Sequence, residues 1–304
     1  TIGRFKKIDG DRYIMIDEPF VFRAMKNYYE KSDPGFRKYH TDIILTLNDP
    51  SSCGKYLERM LVLDFAKIFH NRVVSPKLFK GNILPHDMFK CKAMVVGYNE
   101  SGPIGANNFT LTLDEFLRAH IEGESRYNNQ LVAPFFYPLA HISGLDLVFV
   151  VRFISDDPSK ENIVCPVFAQ MKYVDYIAPG AVTKARETVR PAAIEKHKVE
   201  LSRYCSNGHY ISIILAYPAD IRDEFRFFTE VHENVTEIPL VIDRNNAQGL
   251  ICKEYIKIMD DLKEAERVES QIAREHASTS RGHATMSDDE GSASLLRRAV
   301  LSDP

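Results

Sequence analysis

Hydrophobic and polar positions follow two different periods along this chain, and the period changes near residue 130. Before that point the pattern is helical. The stretch "SSCGKYLERMLVLDFAKIFHN" (51–71) sets Tyr56, Leu57, Met60, Leu61, Leu63, Phe65, Ile68 and Phe69 on one broad apolar face, which predicts an amphipathic helix capped by Ser51 or Ser52. "LTLDEFLRAHIEG" (111–123) predicts another, with Thr112 as its cap and Gly123 as its stop. Upstream, Phe20, Ala24 and Tyr28 keep helical spacing until a Ser-Asp-Pro-Gly break, so residues 1–50 are expected to form a small helical or winged-helix-like connector.

After residue 130 the apolar runs become short, β-branched and aromatic. "LVAPFFYPLA" (131–140), "GLDLVFVVRF" (144–153) and "IVCPVFAQMKY" (163–173) predict three strands, and the turn "SDDPSKEN" makes a hairpin of the last two. A long helix is expected from Val182 to Tyr204, interrupted or restarted at Pro191. Strands follow at 208–218 and 238–246, then a charged helix at about 247–274. The Ser-, Asp- and Gly-rich tail, 269–304, has little to bury and is expected to be disordered. Helix, three strands, helix, strand predicts an α/β (α+β) domain over residues 51–268, with a central mixed β-sheet flanked by helices.

Composition narrows the function classes. The chain has 304 residues, 44% hydrophobic and 27% charged, enough for one sizeable core. It has no apolar run of about 18 residues and no signal-peptide h-region, so no membrane partner is expected. Its five cysteines (Cys53, Cys91, Cys165, Cys205, Cys252) are scattered and form no C-x-x-C pair. That argues against a disulfide framework or zinc knuckle and for a reducing, intracellular setting, cytoplasm or nucleus. A net charge of −3 gives no bulk signature of nucleic-acid binding, so any such binding must be local. The first residue is Thr rather than Met, as expected of a processed product or a piece of a longer protein. P-loop, dinucleotide, G-x-S-x-G and H-E-x-x-H motifs do not occur, and no two histidines stand four residues apart.

One constellation carries chemistry. With the hairpin folded about Pro158, Asp146 lies twelve positions before that point and Gln170 twelve after. Antiparallel pairing would set them opposite each other, about 5 Å apart at Cα. Lys172, two residues beyond Gln170, points to the same side of its strand. A carboxylate, an amide carbonyl and a neighbouring backbone carbonyl are hard ligands suited to Mg²⁺ or Mn²⁺, and a lysine beside them can orient water or answer charge on a phosphate. Taken alone, Asp146 could hydrogen-bond the backbone at a strand start, and Lys172 could be an ordinary strand-end lysine. Their convergence with Gln170 makes the site. The segment "TKARETVRPAAIEKHKVELSRY" (183–204) holds six Lys or Arg against three Glu, and Lys184, Arg186, Arg190 and Lys196 are its candidates for phosphate-backbone contact.

The combination of "GLDLVFVV", "VCPVFAQMKY", a preceding helix with an acid and a following helix and strand resembles the PD-(D/E)xK, or restriction endonuclease-like, nuclease superfamily. The likeness covers about 51–218. It implies an αβββαβ core, with Asp146 as the metal-binding acid of the second strand and Gln170 and Lys172 at the two ends of the (D/E/Q)-x-K tripeptide. It also implies Glu58, on the first core helix, as a further metal ligand. A narrower resemblance is to the nuclease-like C-terminal regions of Crinkler-type effector proteins, which implies an NTPase module upstream. Gln170 stands where Asp or Glu is usual, which removes one negative charge from the site. The implied function is Mg²⁺- or Mn²⁺-dependent phosphodiester hydrolysis on DNA, or RNA. Its rivals are a catalytically inactive module of the same fold that binds nucleic acid or protein, and an unrelated α/β domain.

Overall fold

The computed structural model describes residues 4–8, 11–15, 50–74, 88, 90–98, 105–107, 111–123, 126–127, 130–138, 144–174, 184–205, 207–219, 221, 231–232, 234–253 and 255–260, with 263–264, 267–268, 271–272 and 274 beyond them. The helix expected around Phe20–Tyr28 and most of the 269–304 tail lie outside these residues. The chain divides into two compact units, Thr1–Asp260 and Asp261–Pro304. In the second, the described positions 263–264, 267–268 and 271–272 are helical, with an exposed Arg267–Glu264 ion pair at 3.7 Å.

The first unit opens with an antiparallel pair, β1 (Arg4–Ile8) and β2 (Asp11–Met15), joined through Asp9-Gly10. Helix α1 (Pro50–Phe69) leads through β3 (Arg72–Val73) to β4 (Lys92–Val95) and β5 (Gly105–Asn107). Helix α2 (Leu113–Ile121) follows, then β6 (Arg126–Tyr127), β7 (Gln130–Leu131) and β8 (Phe135–Tyr137). The long hairpin is β9 (Leu147–Ile154) and β10 (Ile163–Val174). Two short helices, α3 (Pro191–Glu195) and α4 (Leu201–Tyr204), cross over to β11 (His209–Pro218), and β12 (Val231–His232) and β13 (Val235–Ile242) complete the order.

Nine of these strands form one sheet, ordered β12-β13-β11-β10-β9-β4-β3, with β8 also on β9 and β5 on β8. Strands β4, β9 and β10 lie antiparallel in that order, while β11 lies parallel to β10 and β13 parallel to β11. The fold is thus mixed α/β around a central sheet, as the change of hydrophobic period predicts.

Alternation along the strands assigns the two faces. Val148 and Val150 on β9 and Phe168 on β10 join a buried cluster with Phe116 and Leu117 of α2 and with Ala185, Val189, Ile194 and Tyr204 of the crossover. Phe149 turns the other way, where Phe65 and Phe69 of α1 approach it at ring-centroid distances of 6.0 and 5.7 Å. The sheet therefore lies between α1 on one side and the crossover with α2 on the other. Each fully buried phenylalanine contributes on the order of 2–3 kcal/mol from apolar burial.

Local chemistry accounts for several element ends. Thr112 caps α2 by accepting from the Glu115 N–H at 3.2 Å, while the Glu115 carboxylate accepts from the Thr112 N–H at 2.7 Å. Gly123, at φ 88°, follows the helix as expected of a stop. In the β9–β10 turn, the Asp157 carboxylate accepts from the Ser159 N–H at 3.0 Å.

Three expectations need correction. Ser51 and Ser52 do not cap α1, because the helix already begins at Pro50, whose missing N–H suits a first turn. The 131–140 run is not one strand: Pro134 and Pro138, which cannot donate to a ladder, bracket the three residues of β8. Along Val151–Ile154, the neighbour of β9 is β4, "KAMV". The crossover restarts at Pro191 as expected, where α3 begins, but it is broken a second time before α4, where Lys198, at φ 60°, takes a left-handed conformation.

Candidate functional site

The hairpin register brings the two polar residues together. Pairing runs from Ile163↔Phe153 to Ala169↔Leu147, and one further step sets Gln170 across from Asp146. The backbone N–H of Asp146 donates to the Ala169 carbonyl at 3.0 Å, which fixes the residue just ahead of β9. Its carboxylate Oδ2 accepts from the Met171 N–H at 2.6 Å and from the side-chain amide of Gln170.

Gln170 is 2% exposed, so its amide cannot be satisfied by bulk water. Its Nε2 faces Asp146 and stands 3.4 Å from the Met171 carbonyl. Its Oε1 lies 2.8 Å from the Thr188 hydroxyl, and that hydroxyl lies 2.6 Å from the Ala185 carbonyl. Thr188 belongs to the crossover, on the face that also carries Phe168, so β9, β10 and the crossover meet at this cluster.

Gly144 makes the approach possible. At φ 131° it occupies a backbone region that side chains disfavour, and a Cβ there would stand 3.2 Å from both the Thr188 Cβ and the Thr188 carbonyl oxygen. The glycine two residues before Asp146 thus lets the crossover close against the start of β9.

Burial pushes the Asp146 carboxyl up to about 6, against the opposing pull of the Met171 N–H, the Lys172 ammonium and the Gln170 amide. Lys172 is exposed, so the cluster has a buried amide and a half-buried acid within and a solvated cation at its rim.

The other sequence-derived candidates fall elsewhere. Glu58 is half-buried two turns before Phe65 on α1, the helix that covers the Phe149 face, whereas Gln170 meets Thr188 on the opposite face. Lys184 and Lys196 are exposed on the crossover and Arg190 is half-buried. Arg186 must be removed from the phosphate-contact set. It is buried, and its guanidinium donates at 2.9 Å to Glu237, itself 0% exposed, which also accepts from the Ser212 hydroxyl. A cation held by a buried carboxylate on β13 does not reach a surface phosphate.

Sequence reasoning missed Thr188 and Gly144. The glycine was legible, since a glycine two residues ahead of an acid at a strand start marks a close backbone approach. Thr188 carried no such signal, because nothing local to the crossover says which turn of it will face Gln170.

Among the described residues, no group of three or more His, Cys, Asp or Glu stands close enough to hold a metal ion. Any cation site here must rest on one carboxylate supplemented by neutral oxygens. The donor set permits that in one orientation of Gln170. As the side chains stand, the amide turns nitrogen toward Asp146; rotated end for end, it would turn its oxygen there, beside the Met171 carbonyl. Three hard oxygens, from Asp146, Gln170 and Met171, then suit Mg²⁺ or Mn²⁺. Compared with known proteins, the chain matches no family model, no curated protein and no solved structure. Among the described residues, no helix is long and apolar enough to cross a membrane.

Proposed function

We propose that this chain is a nuclease-like domain of the PD-(D/E)xK kind, which holds Mg²⁺ or Mn²⁺ at Asp146 and Gln170 and acts on phosphodiester bonds of DNA or RNA. The observation that carries the reading is the pairing of Asp146 with Gln170 across the hairpin, with Lys172 two residues on. Its setting supports it. Helix α1, the antiparallel run β4-β9-β10, a crossover of short helices and the parallel strand β11 are compatible with an αβββαβ core when α2 and the short strands β5–β8, which lie between β4 and β9 in the chain, are counted as insertions.

In this reading Asp146 supplies the negative charge of the site and Gln170 a neutral oxygen, and a bound divalent cation would polarise the phosphate. Lys172, on the solvent side, orients the attacking water or answers charge that develops on the phosphate oxygens. Lys184 and Lys196, exposed on the crossover, contribute phosphate-backbone attraction. Glu58 joins only if its side chain reaches past the sheet edge, which makes it the weakest member. Kinship with Crinkler-type proteins, and an NTPase module upstream, belong to the same proposal.

A specific observation favours a second reading, a catalytically weak or inactive module of this fold that binds nucleic acid or protein. Gln170 directs an N–H, not an oxygen, at Asp146, so its resting hydrogen bonds need no metal.

Incubating the protein with plasmid and Mg²⁺ or Mn²⁺, beside Asp146→Ala and Lys172→Ala, separates the two. Cleavage lost in both variants supports the nuclease. Retention of DNA without cleavage favours the binding module, and equal cleavage by all three proteins sinks the assignment of these residues.

A further inference from the structure

The hydroxyl of Thr188 has one proton and two acceptors within reach, the Ala185 carbonyl at 2.6 Å and Gln170 Oε1 at 2.8 Å. It can donate to only one of them. If it donates to Gln170, the amide nitrogen faces Asp146 and the Ala185 carbonyl is left in contact with a hydroxyl lone pair. If it donates to Ala185, its lone pairs face Gln170, and the amide is then best satisfied by turning Nε2 toward Thr188. That second arrangement is an unbroken donor chain, Gln170 Nε2 to Thr188 to Ala185, and it aims Oε1 at the Asp146 carboxylate. Two oxygens facing each other repel unless a cation lies between them.

We propose that Thr188 is the positioning residue of this site: it selects which end of the Gln170 amide faces Asp146, and it holds the carbonyl end there when a divalent cation binds. The inference rests on the nuclease-like reading above and adds a residue to it. Three features make the selection tight. Gln170 is 2% exposed, so water does not blur the choice. Gly144 lets Thr188 approach without a Cβ to hold it off, its virtual Cβ lying 3.2 Å from the Thr188 Cβ. Asp146 is anchored at its backbone by its N–H on Ala169, and its Oδ2 takes the Met171 N–H, so the amide turns against an oriented carboxylate from which it draws apart by a few tenths of an ångström when the ion enters. Cation binding and amide orientation are therefore linked, each favouring the other.

Thr188→Val keeps the shape and removes the hydroxyl, so a cation-competent amide would bury an N–H with no acceptor. Buried orphan N–H groups are rarer than buried carbonyls lacking a partner, so the variant favours the orientation that disfavours the cation. Thr188→Ser keeps the hydroxyl.

Mn²⁺ binding, measured by calorimetry on wild type, Thr188→Ser, Thr188→Val and Asp146→Ala, tests the proposal beside the side-chain amide NMR signals of Gln170, assigned with Gln170→Met. Expected is a loss of affinity of about tenfold or more in Thr188→Val, in the range found for partners that orient metal ligands, with Thr188→Ser near wild type. The Gln170 amide signals of wild type should move on Mg²⁺ addition. Thr188→Val binding Mn²⁺ as tightly as wild type overturns the inference and leaves the nuclease-like reading standing. Wild-type Gln170 signals that ignore Mg²⁺, in a protein whose Mn²⁺ binding depends on Asp146, overturn it too, and this readout needs no folded variant. Mn²⁺ binding that is equal in Asp146→Ala and wild type, or absent from both, overturns the underlying reading and the inference with it.

Discussion

Replacing Asp146 by Asn should make the metal-free protein more stable at neutral pH. Burial raises this carboxyl from 3.8 to about 6, so above pH 6 the folded protein carries a charge that its surroundings disfavour. At about 1.4 kcal/mol per pH unit, that rise costs up to roughly 3 kcal/mol. Asn keeps the shape and loses the charge. Its oxygen can still accept the Met171 N–H, and its amide can donate to Gln170 Oε1, which completes the chain through Thr188 to Ala185. For a domain of this size the gain corresponds to roughly 6 °C in Tm or more, less whatever the charged hydrogen bonds to Asp146 contributed. The sign depends on pH. A carboxyl raised in the folded state holds its proton between about pH 4 and 6 while the unfolded chain has released it, so wild-type stability falls as pH rises through that window. Below it both states are protonated and Asn gains nothing. Thermal unfolding of both proteins in chelator at about pH 7.5 and about pH 3.5 measures the difference. An Asn variant that melts no higher than wild type at the upper pH, or gains as much at the lower, refutes the reasoning.

Arg186→Met should destabilise by roughly 3–5 kcal/mol, read in denaturant unfolding, because it removes the guanidinium that answers the buried Glu237 carboxylate. It should not alter the salt dependence of DNA retention. Lys184→Ala with Lys196→Ala should do the reverse: an unchanged Tm, and a shallower plot of log affinity against log salt, by about one unit for each phosphate no longer neutralised. Thr112→Ala removes the capping box of α2 and should cost about 1 kcal/mol in denaturant unfolding.

How far the site was legible follows from what kind of interaction makes each part. The hairpin register came from its length and turn: folding about Pro158 pairs Asp146 with Gln170, and the ladder has that register. Helix α2 was readable from Thr112, Glu115 and Gly123, since each acts within a turn of itself. The β1–β2 hairpin carries a local Asp9-Gly10 turn signal outside the predicted strands, while the apolar weight of 131–140 concealed the effect of its two prolines.

The sequence by itself determined the change of period, the two central strands and the acid–amide pair at their end, because local propensity and strand alternation act over a few residues. Tertiary structure alone decided that β4 rather than 131–140 flanks the end of β9, that Arg186 turns inward to Glu237, and that Thr188 closes on Gln170 past Gly144. Those choices depend on how a crossover of several short turns settles on a twisted sheet, where a quarter-turn exchanges a solvated cation for a buried one. No pattern confined to either partner specifies that fit, which is set by the packing of both.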